Sequence, residues 1–237
     1  MRIPYPYADD VLLRGNSATL RHLDINIGKD TAKVLNNMQH LDNKHKNLKV
    51  VIGDNDNCLQ LVAEATRNKF INNLVGAAQS LKLDGIMSVD YWIAAAPIRG
   101  FKCLQVLDIS WSYFAFFDVL CLLRVLPNLV KLSSSFDKLG SELQDIDAED
   151  LPDHITSTHC RVGESLQVLS LRRFDKLIHP VVPEYVILLA LVCPKLRRIE
   201  LRPDGISEFQ SKVAEALQSG PHSKYTSELN RLLRAIY

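Results

Sequence analysis

Apolar residues along this chain fall in short bursts of the form Leu-x-x-Leu-x-Leu, with other apolar residues standing in for leucine, and the bursts return at a near-constant interval. The matches are Leu20-Leu23-Ile25, Leu48-Val51, Ala78-Leu81-Leu83, Leu104-Leu107-Ile109, Leu129-Leu132, Leu166-Leu169-Leu171 and Leu196-Ile199-Leu201. Their first positions are 28, 30, 26, 25, 37 and 30 residues apart. Two members are written almost alike, "FKCLQVLDISWS" (101–112) and "GESLQVLSLRRF" (163–174). Three are degraded: Gly53 and Ser134 stand where the last apolar residue belongs, and Ala78 where the first does. Alternating apolar positions in a short run predict a strand with one buried face, and a period of roughly 20–50 residues predicts stacked repeats.

The segments between the bursts change to helical spacing. "KDTAKVLNNMQHL" (29–41) puts Val34, Met38 and Leu41 on one face, and 58–75 and "FAFFDVLCLLRVL" (114–126) repeat the pattern. "PEYVILLALVC" (183–193) opens on a proline with an acidic first turn, and "LPNL" and "CPKL" each stop a helix and start a strand. One strand and one helix cannot bury their leucines alone. Stacked neighbours bury them in a column, each leucine contributing roughly 1.5–3 kcal/mol. The predicted fold is therefore α/β: a single curved solenoid of about seven irregular repeats, with a parallel sheet on the concave side and helices on the convex side. Residues 1–19 are expected to form an N-terminal cap with a short helix in "ADDVLLRG". The repeats occupy 20–205, and two helices in 206–237 form the C-terminal cap. The long spacing holds an insert, 136–163, whose carboxylates Glu142, Asp145, Asp147, Glu149, Asp150 and Asp153 suggest a solvated surface loop or a docking loop.

If the burst residues point inward, the residues between them line the concave wall. Asp24, Asp54, Asp84, Asp108 and Ser110 then fall on the early half, and Lys131, Arg172, Arg198 and Arg202 on the late half. That charge order suits a polypeptide of complementary sequence, arginine being well shaped for carboxylates.

Composition narrows the chemistry. With 28 basic and 27 acidic side chains among 237 residues the net charge is +1, which gives no field for a polyanion, so no nucleic-acid partner is expected. The longest clean apolar run, 185–193, is about half a membrane span, and no signal peptide is read at the N-terminus. Five cysteines without a Cys-x-x-Cys pair favour a reduced, intracellular setting, cytoplasm or nucleus. Cys103, Cys121 and Cys193 read as small buried hydrophobes. His154, His159 and Cys160 cluster in "DLPDHITSTHC", but the spacing fits no zinc template, and "GDNDNC" lacks the glycine and glutamate of a calcium loop. Neither a metal, a cofactor nor a catalytic constellation is predicted.

The junctions "CPKLRRIEL" and "LPNLVKL", with the strand-plus-helix period, resemble ribonuclease-inhibitor-like leucine-rich repeats. The cysteine-proline form is similar to that of arrays attached to F-box proteins, and "YPYADDVLLRGNSATLRHLDI" resembles large leucine-rich families of early-diverging fungi. The resemblance implies a non-catalytic protein-binding module, with substrate recognition for a ubiquitin ligase as one version. A GTPase activator or enzyme inhibitor, a metal- or redox-responsive protein and a degenerate array without a ligand are the alternatives. Two departures stand out. No F-box helix precedes the repeats. The asparagine expected three positions past the last leucine is replaced by Gly28, Asp56, Ile86, Ser112, Asp137, Phe174 and Asp204, which predicts an irregular convex turn.

Overall fold

The computed structural model describes residues 21–28, 48–54, 58–86, 92, 101–112, 114–135, 138–147, 149–158, 162–171, 183–200 and 206–218. Among them are seven strands and five α-helices. The strands are β1 (His22–Asn26), β2 (Leu48–Gly53), β3 (Ala78–Asp84), β4 (Val106–Trp111), β5 (Lys131–Ser134), β6 (Val168–Leu171) and β7 (Arg198–Glu200). The helices are α1 (Glu64–Ala77), α2 (Phe116–Val125), α3 (Leu151–Thr158), α4 (Pro183–Val192) and α5 (Ile206–Gln218). The fold is α/β with parallel sheet, and the chain divides into two compact units, Met1–Tyr113 and Phe114–Tyr237. The first holds β1 to β4 side by side in chain order; the second holds β5 to β7 likewise. The expected N-terminal cap, the 29–41 helix and the last helix lie outside the described residues. No helix among the described residues is long and apolar enough to cross a membrane.

Register makes the columns. In the first unit Leu23 lies beside Val50, Val50 beside Leu81 and Leu81 beside Leu107, all buried. In the second, Leu132, Leu169 and Ile199 form the same rung. The leucines expected at first positions in the later bursts, Leu104, Leu129, Leu166 and Leu196, are buried too.

The second unit repeats itself at the level of single hydrogen bonds. Before each strand the chain makes the same turn, the N–H of Leu129, Leu166 and Leu196 donating to the carbonyl of Leu126, Gly163 and Cys193 at 3.2, 3.1 and 3.0 Å. Pro127 and Pro194 sit at the turn position that a fixed φ favours. Each rung then ties to the next in one way. The Val130 carbonyl accepts from Gln167 and Val168, and the Gln167 carbonyl from Arg197 and Arg198, at 2.9 to 3.1 Å. Gly163 is required at its turn, because a Cβ there would collide with the Cys193 sulfur of the following turn.

The described residues of the insert are structured. Its carbonyls at Lys138 and Leu139 accept the first-turn N–H groups of Phe116 and Phe117 in α2 at 2.8 and 3.0 Å. These are donors that a helix start cannot satisfy internally. Gly140, at φ +104°, turns the chain there, and a Cβ would lie 2.8 Å from Phe117 Cβ. Leu143, Leu151, Pro152 and Ile155 are buried, and α3 packs on α4. Residues 138–147 and 149–158 thus supply helical structure to the β5–β6 connection, with Glu142, Asp145, Asp147, Glu149, Asp150 and Asp153 on the outside. The packing also explains α4, whose sequence is apolar all round: α3 and α5 both pack on it, and its Tyr185 stacks on Phe116 of α2 with ring centres 5.3 Å apart.

One expectation about the core needs correction. Cys103 is exposed, while Cys193 is buried and Cys121 half-buried. Ser134 does occupy a core position, 1% exposed and paired with Leu171, and its hydroxyl has no hydrogen-bond partner among the described residues. A buried, unpaired hydroxyl costs on the order of 1–3 kcal/mol. Ser134→Ala is therefore expected to raise stability by about 1 kcal/mol, whereas Leu169→Ala, which opens the centre of a rung, should lower it by roughly 2–5 kcal/mol. Urea denaturation of both variants checks this; a loss of stability in Ser134→Ala would contradict the packing.

Candidate functional site on the sheet face

The side chains that alternate with the buried rungs form the candidate surface, and the pairing fixes their rows. In the first unit one row runs His22, Lys49, Ser80 and Val106, and the next runs Asp24, Val51, Lys82 and Asp108. The third is Asn26, Gly53, Asp84 and Trp111. Asp24, Asp84 and Asp108 stand where alternation put them, each partly exposed.

Asp54 does not. It is 2% exposed, and its carboxylate accepts the backbone N–H groups of Cys58 at 2.6 Å and Leu59 at 3.1 Å, at the start of the short helical turn Cys58–Leu61. The cause is a one-residue register difference. "VVI" (50–52) is apolar throughout and fits two alternations, and pairing with Leu23 and Ile25 on one side and Leu81 and Leu83 on the other selects Val50 and Ile52 as the buried pair. A slip of one residue exchanges the two faces of a strand. Lys49, Val51 and Gly53 therefore face outward, and Asp54 turns in as a cap. Gly53 is not a degraded core position. The same register puts Asn55, outside the described residues, three places after the last apolar residue.

Ser110 is the second displacement. The β3–β4 pairing shifts between Lys82↔Asp108 and Asp84↔Trp111, so β4 carries one extra residue there. Ser110 is buried at this bulge, with its N–H and hydroxyl both donating to Asp108 Oδ1 at 3.1 and 2.5 Å. Trp111 takes the outward place beside Asp84, 39% exposed. Bulges re-aim side chains in this way. Ser112 then turns inward, and its hydroxyl donates to the Leu83 carbonyl at 3.1 Å, linking two strands at a position where asparagine was expected.

In the second unit the outward rows are Lys131, Val168 and Arg198, then Ser133, Ser170 and Glu200. Lys131 and Arg198 are on the predicted face, but they are not an open basic row. Lys131 Nζ reaches Glu200 Oε2 at 2.7 Å across β6, and Arg198 Nε lies 3.2 Å from Glu200 Oε1. Beneath this bridge Ser133 and Ser170 are buried. Arg172 and Arg202 lie outside the described residues, as do His159 and Cys160; His154 is exposed on α3.

The Lys131 hydrogen bond, assisted by the charges of Lys131 and Arg198 and by the Ser170 hydroxyl, holds the Glu200 carboxyl below its ordinary 4.5 against the opposing effect of burial. Lys82 and Glu200, which alternation also places outward, complete the surface together with Trp111 and Lys49, which it does not. Glu200 was legible by alternation as an outward residue, but its reach across two strands to Lys131 was not.

No protein-family model matches the chain, and no curated protein does.

A carboxyl whose folded value is depressed stabilises the fold above its unfolded value and loses that contribution as pH falls through the folded one. Glu200→Gln should therefore be less stable than the wild type above pH 4.5, by up to about 1 kcal/mol for such partly exposed pairs. The gap should close as the pH drops below that value. Thermal melts from pH 7 to pH 3 check it, and a gap that stays constant would contradict the bridge.

Proposed function

We propose that this chain is a non-catalytic interaction module of the leucine-rich-repeat kind, a ribonuclease-inhibitor-like solenoid that binds a polypeptide on the outward face of its sheet. The observation that carries the reading is the division of labour along the strands, clearest in β1 to β3. One set of side chains is consumed in the buried rungs, and the alternate set, held in register by the backbone ladder, is left to present Asp24, Lys82, Asp84, Asp108 and Trp111 in one unit and Lys131, Arg198 and Glu200 in the other. Such a surface is rigid before it meets a partner, so little ordering entropy opposes association. Its mixture of charge signs favours selectivity for one charge order over general stickiness. Substrate recognition for a ubiquitin ligase is one form of this role. It would add retention of a ligase adaptor to retention of a substrate.

Affinity capture with quantitative mass spectrometry tests the reading, using the wild type, the double variant Asp84→Lys with Asp108→Lys, and Arg198→Glu. These positions are exposed or partly exposed, and circular dichroism checks that each variant folds. The expected result is a set of polypeptides enriched on the wild type and reduced about tenfold or more on at least one variant, in line with charge pairs at interfaces. Equal retention by all three proteins would remove the sheet face as the binding surface.

A further inference from the structure

The bridge on the second unit's face arranges donors from three strands around one carboxylate. Lys131 and Arg198 share a row through Val168, and Glu200 shares the next row with Ser133 and Ser170. Strands two apart lie about 10 Å from each other. Lys131 on β5 and Glu200 on β7 nevertheless meet at 2.7 Å, so their side chains converge across β6, the middle strand of the unit. Arg198 Nε lies 3.2 Å from the other carboxylate oxygen, and the Ser170 hydroxyl also hydrogen-bonds the group. Both carboxylate oxygens are thus engaged, and each of the three strands contributes a donor. Backbone pairing holds those strands in register, so the positions that carry the donors are fixed before any partner arrives. The seat is also open to solvent, the Lys131 and Glu200 side chains being 36% and 27% exposed.

We infer that this seat receives the side-chain carboxylate of an aspartate or glutamate in the bound polypeptide, and that Glu200 is a placeholder which the partner displaces. The chemistry of the guest is read from the group that occupies the seat, a side-chain carboxylate held at both oxygens. Charge-assisted bonds from an ammonium and a guanidinium favour an ionised carboxylate over a neutral amide. A cationic side chain would face Lys131 and Arg198 and be repelled. Displacement is easy, because a partly exposed ion pair contributes little, and releasing Glu200 costs at most about fivefold in affinity. Glu200 opposes the guest twice, by occupying the donors and by like-charge repulsion. Its neutralisation should therefore tighten binding while lowering stability. A purely structural ion pair gives the second effect without the first. The inference rests on the sheet-face reading above and assigns that surface one guest group and one internal competitor.

The test uses the full chain as bait for a displayed library of random decapeptides, followed by anisotropy titration of the selected sequences with amidated C-termini. Amidation leaves side chains as the only carboxylates. The baits are the wild type, Glu200→Gln, Lys131→Met, the double variant of both, and Glu64→Gln, each checked for folding by circular dichroism. Glu64, exposed at the start of α1, gives the same change of charge away from the sheet face. The expected result is enrichment of peptides containing aspartate or glutamate. Their affinity should rise about threefold to fivefold in Glu200→Gln and fall about fivefold or more in Lys131→Met. Glu64→Gln should leave it unchanged. The double variant should bind little better than Lys131→Met, because the donor that Glu200 would free is no longer there. Replacing the selected carboxylate by its amide should cost about as much as Lys131→Met. Binding that is unchanged or weaker in Glu200→Gln, or a gain matched by Glu64→Gln, would overturn the placeholder while leaving the sheet face in place. Peptides without a side-chain carboxylate, peptides indifferent to Lys131, affinity lost on amidating the C-terminus, or no enrichment over an unrelated bait would overturn the inference itself. The affinity-capture experiment decides the broader reading independently.

Discussion

Parallel pairing of neighbouring strands is the constraint from which the rest follows. A strand in isolation can turn either of its faces inward. Once Leu23 is set beside Val50, Val50 beside Leu81 and Leu81 beside Leu107, the choice is made for every residue between them. Burial of these rungs supplies the drive, the backbone ladder supplies the register, and the outward rows are what remains. The surface chemistry of Asp24, Lys82, Asp84 and Asp108 is thus a by-product of how the core is built. In the second unit the same logic recurs through the turns at 126–129, 163–166 and 193–196, which deliver each chain segment to its rung with one geometry.

Where the pattern in the sequence was redundant, the structure follows it closely. Bursts flanked by polar residues, such as those at Leu104-Leu107 and Leu166-Leu169, have one possible alternation, and their leucines are buried as read. The helices at 116–125, 183–192 and 206–218 fall within a residue or two of their periodic segments. Failures came where the pattern was degenerate. "VVI" in β2 fits either face, and only the neighbours on both sides decide it, which moved Asp54 from the surface to a buried cap. The bulge at Ser110 leaves no mark in the local residue types, so alternation continued straight through it and Trp111 was overlooked. The helix Leu151–Thr158 hid among acidic residues, because its buried face consists of little more than Leu151, Pro152 and Ile155.

The candidate face is therefore part legible and part emergent. Outward carboxylates at 24, 84 and 108 could be counted off a strand. The pairing of Lys131 with Glu200 could not, because their contact spans three strands and 69 residues of chain. Its effect is to convert an expected basic row into a bridged cluster that shields Ser133 and Ser170. The first unit, by contrast, keeps Trp111 partly exposed beside Asp84.

The most direct test of the account is the facing of β2, on which the assignment of the whole face turns. Single cysteines placed at Lys49, Val50, Val51 and Ile52 in the full chain, treated briefly with a maleimide under native conditions and read by peptide mass spectrometry, report which side is out. The account predicts rapid modification at 49 and 51 and protection at 50 and 52, with native Cys103 reacting in every sample as the exposed control. Protection at 51 with rapid modification at 50 and 52 would reverse the strand, return Asp54 to the surface and contradict the register on which the proposed binding face is built.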